Sequence, residues 1–109
     1  MSQPSLDYYV SIFRNNPQLI PNIKALLLSD FKSMEARFFA AAKNNDMAAM
    51  KAELHKMSPI VSNLKFAGML DLLEKYRHSN DSKEMSQLHD DLKTCLSQIY
   101  VMLEERWTN

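Results

Sequence analysis

The composition of this 109-residue chain excludes several classes of protein. One glycine and four prolines leave almost no residues for tight hairpin turns, so strands joined by such turns are not expected. Thirteen basic and thirteen acidic residues cancel, so no overall charge attracts nucleic acid or anionic lipid. No segment resembles a secretion signal or a membrane-crossing helix, so we expect a cytoplasmic protein.

The length suits a single domain, residues 1–109, with one hydrophobic core. The lone cysteine, Cys95, cannot form an internal disulfide, which fits a reducing compartment. Its apolar neighbours at helical spacing predict a buried thiol rather than a reactive one.

The chain begins with a short helical pattern and continues with a long one. A first helix is predicted over residues 5–13, and at that length it must dock on other elements to be stable. The second helix begins at Pro17, capped by Asn16, or slips to Pro21, and it ends near Lys43. Its apolar stripe consists of Ile20, Ile23, Leu27, Phe31, Met34, Phe38 and Ala41.

Three further amphipathic helices follow a turn at residues 44–46. Asp46 is suited to cap the third helix, and Asp81 with Glu84 resembles a capping box at the start of the fifth. Steps of four and three, typical of a bundle seam, connect Met50, Leu54, Met57, Val61 and Leu64. The fourth and fifth helices are marked by Phe66, Met69, Leu70, Leu73 and Tyr76, and by Met85, Leu88, Leu92, Cys95, Ile99 and Met102. We therefore predict an all-α protein, an antiparallel four-helix bundle with a short extra N-terminal helix as a lid on one end.

Most patterns of catalytic and metal-binding residues are absent from the sequence. It contains no Glu-x-x-His pair, as a di-metal carboxylate bundle requires, and His78, His89 and Cys95 lack the short spacings of zinc sites. It also lacks a glycine-bearing nucleophile elbow and a glycine-rich phosphate loop. We expect no metal and no cofactor. His78 is predicted at a helix end, where a cation suits the helix dipole, and His89 on a solvated face.

His55 has a more distinctive setting, one residue beyond the seam position Leu54. A histidine there is ordinarily a partly buried amphipathic residue. Ser58 and Ser62, however, share its helical face and are small enough to leave the imidazole accessible. The surrounding half of the chain carries the basic residues Lys51, Lys56, Lys65 and Arg77. These suit an attached dianionic group or an ordinary solvated surface.

The helix order and the residues after His55 resemble the histidine-containing phosphotransfer family. In that family a helical bundle carries a histidine that takes a phosphoryl group from one receiver-domain aspartate and passes it to another. The family motif is His-x-apolar-Lys-Gly, then small residues, then an apolar residue nine positions after the histidine. His55, Met57 and Leu64 match this motif, with Ser62 at a small-residue position.

Two positions depart from the motif: Ser58 replaces the lysine, and Pro59 replaces the glycine. Because helical side chains lean toward the N-terminus, the family's lysine would lie over the imidazole and help neutralise the phosphoryl group. Ser58 offers one neutral hydrogen bond instead. Arg77 falls where many members place a polar side chain near the phosphoryl group, so we expect it to compensate better than Lys51, which leans away.

Pro59 also affects the predicted third helix. It has no N–H, so the carbonyl of His55 loses its helical partner and a local kink is predicted. Ser58 and Pro59 could instead cap and begin a new helix. The seam that continues from Met57 to Val61 favours one kinked helix.

The resemblance implies a phosphorelay carrier in two-component signalling, with His55 as phosphoryl acceptor. Its supporting or partner-facing residues would be Lys51, Lys56, Ser58, Pro59, Ser62 and Arg77. The expected partners are response-regulator receiver domains and a hybrid histidine kinase, and we expect a monomer. Since the receiver supplies the metal and acid chemistry, the chain would be a carrier rather than an enzyme. The alternatives are a phosphotransfer-like module that docks on receivers or kinases without being phosphorylated, and a purely structural bundle.

Overall fold

The computed structural model describes residues 3–80 and 82–105, and all the regular elements in these ranges are helical. They are α1 (Asp7–Ile12), a 3-10 turn (Pro17–Leu19), α2 (Ile20–Lys43), α3 (Met47–Asn63), α4 (Ala67–His78) and α5 (Ser82–Glu104). The predicted all-α class is confirmed.

The four long helices form a closed ring in chain order. α2 packs on α3, α3 on α4, α4 on α5, and α5 on α2. Three residues separate each consecutive pair, and connections this short make sequential neighbours antiparallel. This arrangement agrees with the predicted four-helix bundle.

The predicted seams fill the bundle interior. The seam residues Met50, Leu54, Met57 and Val61 of α3, with Leu64 directly after it, are all buried in one core cluster with residues of α2, α4 and α5. Burying a side chain of this size contributes about 1.5 to 3 kcal/mol. This packing fixes the rotation of α3 about its axis and directs the neighbouring position, His55, outward.

α3 is a single helix with Pro59 inside it. A side-chain oxygen of Asp46 accepts a hydrogen bond from the Ala49 N–H at 3.1 Å, so the predicted N-cap is confirmed. The helix continues to Asn63, which rules out a new helix beginning at Ser58. The kink angle at Pro59 stays a prediction.

The second helix begins at neither predicted proline. α2 starts at Ile20, with Pro21 in its first turn. Pro21 has no N–H to close an α-helical bond to the Pro17 carbonyl, which instead accepts from the N–H of Ile20 in a 3-10 turn. Asn16 makes no side-chain cap bond there. The predicted end at Lys43 is confirmed.

The N-terminal segment lies at the end of the bundle where α3 finishes. Leu6 and Tyr9 pack against the core, and the Ser5 N–H donates to the carbonyl of Leu64 at 2.7 Å. This position fits the predicted lid, although α1 is shorter than predicted. The predicted capping box involves Asp81, which lies outside the described residues.

Two further observations concern the expected absence of membrane-crossing helices and the surroundings of Cys95. Among the described helices, none has both the length and the apolar composition needed to cross a bilayer. Cys95 is half-buried against the core rather than fully buried. Burial, with the nearby Asp91 carboxylate, raises the pKa of its thiol, which favours the unreactive protonated form.

Candidate functional site

His55 is the central residue of α3 and is exposed. Its imidazole makes no hydrogen bond or ion pair with any other side chain in the described part of the protein. The ring is therefore available to an incoming group, as we predicted from the small serine side chains on its helical face.

Small exposed residues surround His55 along the outer face of α3. They are spaced three, four or seven positions from it, so they share its helical face. They are Ala48, Ala52, Pro59 and Ser62, all of them exposed. The imidazole is consequently larger than these four neighbours and protrudes beyond them.

A cleft of about 510 Å³ lies beside this face, between α3 and α4. Its walls are Lys51, Leu54, His55 and Ser58 from α3, and Leu70, Leu73, Glu74 and Arg77 from α4. The leucines give it an apolar floor, and the ionisable and hydroxyl side chains form its rim. The structure thus brings four predicted site residues together: Lys51, His55, Ser58 and Arg77.

Lys51 is engaged at the end of α4. Its Nζ donates to the backbone carbonyl of Arg77 at 3.2 Å. That carbonyl belongs to the last turn of α4 and has no partner within the helix, so a cation stabilises it. The ammonium is thereby directed toward α4.

Glu74 introduces a negative charge into the same cleft, and the sequence analysis missed it. One carboxylate oxygen lies 3.9 Å from Nη1 of Arg77, and the other lies 2.9 Å from Nε2 of His78. The Arg77 and Glu74 side chains are 75% and 58% exposed, so their ion pair contributes only about 0 to 1 kcal/mol. The sequence signal that could have found these pairs is the spacing of Glu74, three residues before Arg77 and four before His78.

The other predicted site residues do not line the cleft. Lys56 bonds instead to buried Glu53 at 3.1 Å, and Arg37 donates to the same carboxylate at 2.8 Å. Burial alone would raise the pKa of Glu53, but the hydrogen bonds and positive charges of Arg37 and Lys56 lower it below its usual value. Arg37 therefore connects α2 to α3, and Lys56 shares the same carboxylate from within α3. Pro59 and Ser62 belong to the exposed face of α3.

The remaining histidines have structural surroundings. His78 ends α4, as predicted. The prediction for His89 was wrong, because this residue is half-buried, its Nδ1 lies 2.7 Å from the Tyr76 hydroxyl, and its ring stacks on that of Tyr76. Among the described residues, no group of three or more His, Cys, Asp and Glu side chains is arranged to hold a metal ion.

No protein-family model, curated protein or solved structure matches this chain.

Proposed function

We propose that this protein is a phosphorelay carrier in two-component signalling, with His55 as the residue that accepts and donates the phosphoryl group. The observation that carries the proposal is the unbonded, exposed imidazole at the centre of α3, with the small residues Ala52, Pro59 and Ser62 around it on the exposed face. An imidazole in its neutral form is a nucleophile near neutral pH. The resemblance in helix order and motif residues supports the same assignment.

The transfer requires little from the chain except presentation of the ring. The lone pair of a ring nitrogen of His55 attacks phosphorus of an aspartyl phosphate and forms an N–P bond. The P–O bond to the aspartate breaks, and its electron pair goes to the carboxylate. The imidazolium then releases its remaining N–H proton to solvent. Passing the group to a second aspartate reverses these steps.

The cleft beside His55 supports the proposal through Arg77 and Ser58. Both line the cleft with His55, so a phosphoryl group on the ring has a guanidinium and a hydroxyl nearby. A cation near a surface phosphate stabilises it by about 1 to 4 kcal/mol. Arg77 is the better candidate for this role, because Lys51 is engaged with a carbonyl of α4.

The exposed face of α3 is the proposed surface for a receiver domain. Its small side chains allow close approach of a partner to the imidazole. A hybrid histidine kinase would be the original source of the phosphoryl group. We expect a monomer that works in the cytoplasm, where receivers and kinase catalytic domains are found.

Incubation with a phosphorylated receiver domain tests the proposal. We expect wild-type protein to take up an acid-labile, alkali-stable phosphoryl label and His55→Ala to take up none. His78→Ala is the matched control, since His78 is another exposed histidine and its loss should leave labelling unchanged. No label on the wild type, or equal label on His55→Ala, would overturn the proposal.

A specific observation favours a second function, a module that docks on receivers or kinases without being phosphorylated. Ser58 and Pro59 replace the family's lysine and glycine, and Glu74 adds a carboxylate to the cleft. This alternative predicts that receiver binding survives His55→Ala and that no phosphohistidine forms. Combining Ser58→Lys with Pro59→Gly should then create phosphorylation.

A further inference from the structure

We propose that Glu74 restrains the phosphoryl site, by holding the guanidinium of Arg77 and by placing a negative charge opposite His55. The inference rests on the proposed function, because it assigns the group that a phosphoryl dianion on His55 must displace. It identifies Glu74 as a positioning residue that limits how well this cleft accepts a phosphate.

Glu74 and His55 face each other from adjacent helices, since α3 and α4 pack side by side and are antiparallel. Lys51 Nζ reaches the backbone carbonyl of Arg77, so the first half of α3 lies beside the last turns of α4. Both His55 and Glu74 line the same cleft.

The charged side chains of the cleft are already paired with other groups of the protein. Glu74 lies between the guanidinium of Arg77 and the ring of His78, and Lys51 is engaged by a backbone carbonyl. A phosphoryl group on His55 would therefore meet a carboxylate and a guanidinium that is already paired. Repulsion by the first and competition for the second both weaken its stabilisation.

The pair between Glu74 and Arg77 is weak enough to be exchanged. Its atoms are 3.9 Å apart and both side chains are largely exposed. An incoming dianion outcompetes this carboxylate for the guanidinium, since it carries more negative charge and can make two parallel hydrogen bonds where Glu74 makes one 3.9 Å contact. Glu74 thus lowers the affinity of the cleft for phosphate without abolishing it.

Titration with inorganic phosphate at low ionic strength tests this inference without any partner protein. The readout is the NMR shift of the His55 ring protons and of the Arg77 Nε–H. We expect Glu74→Gln, which keeps a hydrogen-bonding amide, to bind phosphate about threefold to tenfold more tightly than wild type. Asp71→Asn is the matched control, because Asp71 is an exposed carboxylate on α4 that does not line the cleft.

The role of Arg77 is tested by a double substitution. If the gain depends on the released guanidinium, then adding Arg77→Gln to Glu74→Gln should remove most of it. Equal phosphate affinity in Glu74→Gln and wild type would overturn the inference. An equal gain in Asp71→Asn, or a full gain in the double variant, would also overturn it, since the effect would then be one of net charge.

Failure of this inference is distinguishable from failure of the proposed function. In one case Glu74→Gln binds phosphate more tightly than wild type, but no variant takes up a phosphoryl label on His55. This result would support the role of Glu74 and overturn the carrier function. The opposite result is also possible: wild-type His55 is labelled, but wild type and Glu74→Gln have the same phosphate affinity and the same phosphohistidine half-life. This result would support the carrier function and overturn the role of Glu74. Unfolding curves of each variant verify that the comparison is between folded proteins.

Discussion

At the scale of single residues, half-buried His89 forms a polar contact with buried Tyr76 at the edge of the core. Burial, with the neighbouring Lys93, lowers the pKa of His89, and Asp90 opposes this only partly. Burial also raises the pKa of Tyr76, so its hydroxyl stays protonated and shares a hydrogen bond with Nδ1 of His89. Phe38 and Phe39 contact the same ring edge to face. The folded protein therefore favours the neutral form of His89 over the imidazolium form.

The protonation of His89 predicts how stability depends on pH. Below the unfolded value of about 6.5, the unfolded chain binds a proton that the folded chain resists, so the free energy of unfolding falls as pH falls toward the lower folded pKa. Urea unfolding at several pH values from about 8 to about 5, the range in which histidine titrates, measures this dependence. His89→Gln should flatten the dependence, whereas His78→Gln should not. Equal slopes in wild type and His89→Gln would contradict the assignment.

Ser79 yields a second prediction at the residue scale. It is 2% exposed at the C-terminal end of α4, and its hydroxyl finds no hydrogen-bond partner among the described residues. An unsatisfied buried polar group costs about 1 to 3 kcal/mol. Ser79→Ala should therefore leave the free energy of unfolding unchanged or raise it by about 1 kcal/mol. A clear loss of stability in thermal unfolding would reveal a partner for this hydroxyl.

At the scale of secondary-structure elements, α3 contains a helix-breaking proline and yet keeps an uninterrupted hydrophobic seam. Pro59 leaves the carbonyl of His55 without an N–H donor from the next turn. The buried seam on both sides, Met57 and Val61, holds the helix together across this gap. The packing free energy of these side chains therefore outweighs the local cost of the proline.

Replacing Pro59 measures that local cost. Pro59 is exposed, so Pro59→Ala restores the N–H without creating a cavity and should raise the free energy of unfolding by about 1 to 3 kcal/mol. Pro21→Ala is the matched control. Pro21 lies in the first turn of α2, where the Pro17 carbonyl already accepts a hydrogen bond from the N–H of Ile20, so its replacement should have little effect. Chemical denaturation of both variants makes the comparison, and equal effects would contradict it.

His55 and His89 illustrate what the sequence could and could not predict. Each lies one position beyond a seam leucine, Leu54 or Leu88, so their local patterns are equivalent. One is exposed and the other is half-buried, because aromatic rings of α2 and α4 cover His89. Periodicity predicted the four long helices and their buried faces well. It could not predict which neighbouring helix covers a position at the edge of a seam, and that is also why Glu74 was missed.

The ring of four helices gives the whole molecule one continuous core. Residues from α2, α3, α4 and α5 belong to a single buried cluster, so no helix has a core of its own. Secondary and tertiary structure should therefore be lost together in one transition. This arrangement also means that the helix carrying His55 depends on contacts made by the other three.

Met57 offers the test at this scale. Its side chain is fully buried, on the side of α3 opposite the exposed face. Met57→Ala should lower the free energy of unfolding by about 2 to 5 kcal/mol through lost burial and a residual cavity. Far-ultraviolet and near-ultraviolet circular dichroism should report the same midpoint. Separate midpoints would show that part of the bundle folds independently.

The hydrogen bond from Ser5 to Leu64 has a consequence for recognition. It occupies a carbonyl at the C-terminal end of α3, while Asp46 caps the opposite end, so the helix is fixed at both ends in the free protein. Docking of a partner on α3 then loses little conformational entropy, because the contacted backbone is already ordered. A surface preorganised in this way keeps one shape between encounters, which suits the proposed carrier, whose donor and acceptor would dock on it in turn.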